Sequence, residues 1–136
     1  MNTEKCKILK HELRTPLNHI AGYSGLLLET AEDRGECEMV LQVSEVQTSA
    51  RKIGAVFERM LRCETEDGVL PGLESLGDSV QPFLDMLRER IATMSALSCA
   101  GAYSDDLARI LVAIGRLESM LRTLREEPVS LFPPVK

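Results

Sequence analysis

Apolar residues recur at steps of three and four along four long segments of this sequence, and this spacing restricts the chain to helices that bury one face. The four apolar stripes consist of Leu9, Leu13, Leu17, Ile20 and Leu27; Met39, Val43, Val46, Ala50, Ile53, Phe57 and Leu61; Leu76, Val80, Phe83, Leu87, Ile91 and Met94; and Leu107, Ile110, Ile114, Leu117, Leu121 and Leu124. Aromatic residues make up only 4% and Trp is absent, so the core must be aliphatic. Helix packing suits such a core better than a sheet sandwich does, and we predict an all-α fold.

Segments of polar and small residues separate the stripes. The first helix is expected to run from about Thr3 to Ala31 and the second to end near Arg62, with the polar turn Glu32-Asp33-Arg34-Gly35 between them. Before the fourth helix, Ser104 and Asp105 are suitable N-cap residues.

The expected architecture is two antiparallel helical hairpins that form a four-helix bundle. Residues 1–63 would be a histidine-containing hairpin, and residues 64–72 a connection with two glycines and a proline. Residues 73–127 would be a second, degenerate hairpin, and residues 128–136 a Pro-rich linker.

The two halves of the sequence can be aligned on their prolines. When Pro16 is set over Pro82, His11 falls opposite Gly77, so only the first half would keep the histidine. Any two amphipathic hairpins align tolerably, and both a duplicated hairpin and an unrelated second hairpin stay open.

Charge and composition exclude several functional classes. The net charge is −5 and no basic run exceeds Arg51-Lys52, which argues against nucleic-acid binding. The apolar runs are far shorter than the roughly 20 residues that span a membrane. The four cysteines are scattered without a C-x-x-C pair, so we expect reduced thiols, no metal site, a cytoplasmic location and protein partners.

One polar helix face stands out in the stretch KHELRTPLNHIAGY, Lys10 to Tyr23. This face, opposite the first apolar stripe, carries His11, Thr15, Asn18 and Gly22. Pro16 removes the backbone hydrogen bond to the Glu12 carbonyl and is expected to kink or loosen this turn. Such a proline costs about 3 kcal/mol before compensation, and a reactive side chain beside a distorted turn would explain it.

The sequence HELRTPLNHIAGYSGLLLE resembles the H-box of the dimerisation and histidine phosphotransfer domain of bacterial sensor histidine kinases. In that family a histidine followed by an acidic residue, Leu-Arg, Thr or Asn, and Pro-Leu opens a long helical hairpin. The resemblance is strong from Lys10 to Glu29 and loose as far as Leu61. It implies a module of a bacterial two-component signalling system.

The resemblance also implies roles for single residues. His11 would be the phosphoacceptor, because a neutral imidazole nitrogen is a competent nucleophile near pH 7. Glu12 would accept or orient the proton on the other ring nitrogen; alternatively it is an exposed helix charge. Thr15 would orient water against a partner's aspartyl phosphate, or it merely bonds back to the His11 carbonyl.

Three further residues on or beside this face are candidates for partner binding. Arg14 and Asn18 would meet a partner's acidic pocket, unless they are solvated helix surface. Gly22 would keep the surface flat for a partner helix, unless it is a tolerated glycine. His19 lies off this face and receives no role.

The expected function is phosphotransfer between His11 and the aspartate of a receiver domain, with a receiver-phosphatase role also open. The alternative is a docking and dimerisation module with a vestigial histidine. No nucleotide-binding motif occurs, so we expect no cofactor and no autonomous ATP-dependent kinase activity, and a separate ATP-binding kinase domain is a second candidate partner. The assembly is either a monomeric pseudo-dimer or a homodimer through the first two helices.

Overall fold

The computed structural model describes residues 3–61 and 75–126, which form four α-helices and one short 3₁₀ helix. The α-helices are α1 (Thr3–Arg34), α2 (Cys37–Met60), α3 (Leu76–Ser95) and α4 (Ser104–Glu126), and the 3₁₀ helix spans Ala100–Tyr103. The all-α prediction is confirmed. Arg62, the predicted connection at residues 64–72 and the Pro-rich linker at residues 128–136 lie outside the described residues.

The four helices run up, down, up and down around one core, which is mostly aliphatic and includes Phe57 and Tyr103. Each helix packs against two neighbours, in the ring order α1, α2, α3, α4. Glu58 near the end of α2 contacts Arg14 near the start of α1, and Tyr103 before α4 contacts Glu36 after α1. The two hairpins therefore close into a four-helix bundle, as the sequence predicts. No helix within residues 3–61 and 75–126 is long and apolar enough to cross a membrane.

The turn between α1 and α2 depends on Gly35, whose φ of 66° lies in the left-handed region that glycine tolerates. Its amide donates to the Glu32 carbonyl at 3.1 Å, and the Glu36 amide donates to the Ala31 carbonyl at 3.0 Å. This pair of hydrogen bonds is a Schellman motif. The polar residues predicted to form the turn instead complete α1, which ends at Arg34 rather than at Ala31.

Two details of the second hairpin differ from the sequence prediction. Phe83, predicted to be in the core, is only partly buried, and Leu84 is 1% exposed in its place. Ser104 is the first residue of α4 rather than a cap before it, and its hydroxyl donates to the Gly101 carbonyl at 3.2 Å. Asp105 lies inside the first turn of α4 rather than before it.

The buried positions of the first hairpin recur in the second. In α1 and α3 the corresponding residues are Leu9 and Leu76, Leu13 and Val80, Leu17 and Leu84, Ile20 and Leu87, and Leu27 and Met94. In α2 and α4 they are Met39 and Tyr103, Val43 and Leu107, Val46 and Ile110, Ala50 and Ile114, Ile53 and Leu117, and Phe57 and Leu121, with Tyr103 just ahead of α4. We call this correspondence the burial register.

The burial register differs by one residue from the alignment on prolines. It sets Pro16 opposite Phe83 rather than Pro82, and His11 opposite Asp78 rather than Gly77. Pro16 is buried whereas Pro82 is exposed, so the two prolines occupy different positions around their helices. The second hairpin thus carries an acidic residue where the first carries its histidine.

A polar cluster ties the α1–α2 turn to the α3–α4 turn. The Tyr103 hydroxyl donates to Glu36 Oε1 at 2.9 Å, and Arg34 pairs with the same oxygen. Interaction with the Cys99 thiol, the Arg34 guanidinium and the Tyr103 hydroxyl lowers the pKa of Glu36 to about 2. The ionised carboxylate therefore links the two hairpins at this end of the bundle.

We expect this cluster to make the bundle acid-sensitive. A carboxylate whose pKa is lowered on folding adds stability above its ordinary pKa of 4.5, and that stability disappears as the pH falls towards 2. The Tm of the wild type should therefore exceed that of Glu36→Gln at pH 6, and the difference should shrink between pH 5 and pH 2. Thermal unfolding of both proteins across this range measures it, and a difference independent of pH would contradict it.

Candidate functional site

The histidine of the opening helix lies on the outer surface of the bundle. His11 and Glu12 are exposed, whereas Leu13 is completely buried in the core. This is the orientation that the helical spacing predicts. A partner molecule can therefore reach the imidazole without any opening of the bundle.

Helix α1 continues through Pro16 without a break. Proline has no amide hydrogen, so the Glu12 carbonyl receives no helical hydrogen bond from this position. Immediately before it, the Thr15 hydroxyl donates to the His11 carbonyl at 3.1 Å. Of the two roles considered for Thr15, the structure contains the backbone contact, and the hydroxyl would have to rotate to orient a water molecule.

A cluster of charges beside His11 joins α1 to α2. Lys10 Nζ lies 2.8 Å from Glu58 Oε2, and Arg14 pairs with Glu58 Oε1. The hydrogen bond from Lys10 and the nearby charge of Arg14 lower the pKa of Glu58. Sequence analysis identified Arg14 but missed Lys10 and Glu58. The signal available was the spacing of Lys10 and Arg14, which places two cations on one helix face.

Next to this cluster a shallow groove runs between α1 and α2, and we call it the α1–α2 groove. Its lining includes Arg14, Asn18 and Ala21 from α1, and Arg51, Gly54 and Ala55 from α2. Small residues leave room between the helices, and the two arginines add positive charge to a chain with a net charge of −5. The predicted partner-binding residues Arg14 and Asn18 thus lie in one surface feature.

Gly22 lies outside this groove on open surface. A Cβ atom added at Gly22 would meet no atom of the described residues within 4 Å, and one at Gly25 would lie 4.0 Å from the Gln47 amide nitrogen. Packing among residues 3–61 and 75–126 therefore does not require glycine at position 22.

The open surroundings of Gly22 lead to a prediction. Gly22→Ala should raise the free energy of unfolding by about 0.5–1 kcal/mol, because alanine loses less backbone entropy in a helix. Urea unfolding of both proteins measures this, and a destabilised variant would contradict it. Receiver binding by the same variant shows whether a partner approaches this surface closely.

The second histidine belongs to a different face. The His19 ring centroid lies 6.3 Å from that of Tyr23, and the guanidinium of Arg109 on α4 lies 5.7 Å from the centre of the Tyr23 ring. Among the described residues, no group of three or more His, Cys, Asp or Glu side chains could hold a metal ion.

Comparison with known families agrees with this geometry. Residues 7–68 match the family model of the His Kinase A (phospho-acceptor) domain, HisKA. No curated protein and no solved structure is significantly similar to the chain. The matched residues include His11, both sides of the α1–α2 groove and the charge cluster at Glu58. Residues 7–68, a little under half of the chain, are therefore similar to the HisKA phospho-acceptor domain, as the resemblance of the first helix predicted.

Proposed function

We propose that the chain is a histidine phosphotransfer module, which exchanges a phosphoryl group between His11 and the aspartate of a receiver domain. The observation that carries the proposal is the exposure of His11 on the first helix of a segment that matches phosphoacceptor domains. Glu12 follows it directly and lines the same shallow pocket of α1, and the α1–α2 groove begins one turn further along the helix, at Arg14. A receiver can contact the groove while its aspartate faces the imidazole.

The chemistry needs few groups from this chain. One neutral ring nitrogen of His11 attacks the phosphorus of the receiver's aspartyl phosphate. A phosphorus–nitrogen bond forms while the phosphorus–oxygen bond breaks, and the aspartate leaves as a carboxylate. The ring becomes cationic, and the Glu12 carboxylate holds or accepts the proton on the other nitrogen. Transfer to a receiver follows the same steps in reverse.

Charge complementarity supports a receiver as the partner. A receiver's phosphorylation pocket is acidic, and it would meet Arg14 and Arg51 on the rim of the α1–α2 groove. Arg14 is held by Glu58, whereas Arg51 has only the Thr48 hydroxyl as a hydrogen-bond partner within the described residues, at 3.3 Å. Arg51 can therefore turn to a partner without losing an ion pair.

The bundle supports a monomeric pseudo-dimer as the assembly. The second hairpin covers the apolar face of the first, which a HisKA hairpin otherwise buries against a second copy. We expect light scattering to give the mass of one chain, and a homodimer would contradict this. Whatever the assembly, the donor of the phosphoryl group would be a receiver or a separate ATP-binding kinase domain.

The test is transfer from a radiolabelled, phosphorylated receiver domain of the same organism to this chain. We expect label that is lost in acid and retained in alkali, as phosphohistidine requires, and peptide mapping should assign it to His11. If the chain binds receivers but no receiver labels it, the docking and dimerisation role with a vestigial histidine replaces this proposal.

A further inference from the structure

The second hairpin has a smaller groove between α3 and α4, with a volume of about 280 Å³ against about 490 Å³ for the α1–α2 groove; its lining includes Gln81, Leu84 and Glu118, and we call it the second groove. Because Ile20 corresponds to Leu87 in the burial register, Ala21 corresponds to Arg88. Because Ile53 corresponds to Leu117, Gly54 corresponds to Glu118. Two small residues that leave the first groove open are thus replaced by two long charged residues.

Arg88 and Glu118 pair with each other across the gap between α3 and α4. The Arg88 Nε atom lies 3.1 Å from Glu118 Oε1 and 3.2 Å from Oε2, and the guanidinium makes a further contact through a terminal nitrogen. Such a two-pronged pair has fixed geometry and resists displacement better than a single ion pair. The Arg88 and Glu118 side chains are 45% and 21% exposed, so the pair lies at the surface where a partner would dock.

The charges around the second groove also differ from those of the first. Arg14 corresponds to Gln81 and Arg51 to Gly115, whereas Glu58 corresponds to Arg122, so the charges change in both directions. His11 corresponds to Asp78, whose carboxylate lies 2.8 Å from Arg125. The lining of the first groove holds two arginines and Glu58, whereas that of the second holds two arginines against Asp78, Glu118 and Glu126. A partner with an acidic pocket would therefore meet a net positive lining at the first groove and a net negative lining at the second.

We propose that the Arg88–Glu118 pair closes the second groove to the receiver, so that each chain binds one receiver, through the α1–α2 groove alone. This inference rests on the proposed function. A helix that packs into a groove needs small residues where the axes come closest, and the pair places two long side chains there. A receiver docked over the pair would also remove these two partly exposed charges from water, so the second hairpin disfavours the receiver by sterics and by charge.

Transplanting the pair into the first groove tests the proposal. In Ala21→Arg/Gly54→Glu, arginine and glutamate stand at the positions of Arg88 and Glu118. The exchange fits the fold, because Ala21 is exposed and a Cβ at Gly54 would lie 3.5 Å from Leu17 Cδ2, an ordinary contact. Circular dichroism and Tm establish that the variant is folded.

The probe is a receiver domain that labels His11 of the wild type. We expect the transplanted pair to raise the Kd for the receiver at least about 100-fold above that of the wild type. The rate of phosphotransfer to the intact His11 should fall by a similar factor. The matched control, Ala108→Arg/Val112→Glu, adds the same two charges on the exposed face of α4, where Val112 is 63% exposed, and should bind as the wild type does.

Calorimetric titration of the wild type gives the stoichiometry, expected to be one receiver per chain. Two receivers per chain, or unchanged affinity of the folded Ala21→Arg/Gly54→Glu variant, would overturn the closed second groove and leave the phosphotransfer function intact. If no receiver binds or labels the wild type, the proposed function fails, and this inference fails with it.

Discussion

Replacement of His11 by glutamine should abolish acid-labile labelling of the chain by a phosphorylated receiver. A carboxamide nitrogen is not nucleophilic, so no phosphorus–nitrogen bond can form at this position. The free energy of unfolding should stay within about 0.5 kcal/mol of the wild-type value, because His11 is exposed and its ring fills no core space. Radiolabel transfer, followed by acid and alkali treatment, measures the first effect, and thermal unfolding measures the second.

His19→Gln is the matched control, because His11 and His19 are the two histidines of the chain. His19 lies beside Tyr23 and Arg109, away from the α1–α2 groove, so labelling should proceed at the rate of the wild type. Acid-labile label that survives in His11→Gln, or disappears in His19→Gln, would place the phosphoacceptor elsewhere.

The orientation of the candidate site could be predicted from sequence because it depends on one helix. His11 and Leu13 are two residues apart, about 200° around the helix axis, so the burial of one implies the exposure of the other. The long apolar stripe fixes which of them faces the core. Neither fact requires knowledge of the other helices.

The register between the two hairpins could not be predicted, because it depends on which face of α3 the neighbouring helices cover. Aligning Pro16 with Pro82 assumes that both prolines occupy the same position around the bundle, but one is buried and the other exposed. Proline does not mark a core face as a run of leucines does. Periodicity also does not choose between Phe83 and Leu84, because they follow Val80 by three and by four residues and both steps fit one apolar stripe.

Contacts between helices form the other part that sequence analysis missed. Glu58 belongs to the site only because the hairpin brings α2 beside Lys10, and Glu36 joins Tyr103 only when both turns meet at one end of the bundle. Each partner alone resembles an ordinary surface charge or a core aromatic residue. Their pairing depends on tertiary structure, and local periodicity carries no information about it.

The burial register itself predicts a large difference between two adjacent residues of α3. Leu84→Ala should lower the free energy of unfolding by about 3 kcal/mol, because it removes a core side chain and leaves a cavity. This is a large share of the roughly 5–15 kcal/mol that stabilises a typical domain. Phe83→Ala should lower the free energy of unfolding by about half as much, since the ring is only partly buried against the core. On its other side the ring faces Lys52 Nζ, which lies 5.9 Å from the ring centre.

The comparison of these two variants discriminates between the registers. Phenylalanine is larger than leucine, so a helix that buried both residues equally would lose more stability on truncation of Phe83. The opposite order follows only if Leu84 takes the place that Leu17 has in α1 and the Phe83 ring lies at the edge of the core. Urea unfolding of both variants measures the order. A greater loss of unfolding free energy in Phe83→Ala would favour the alignment on prolines. That alignment sets His11 opposite Gly77, and it removes the equivalence of Ala21 with Arg88.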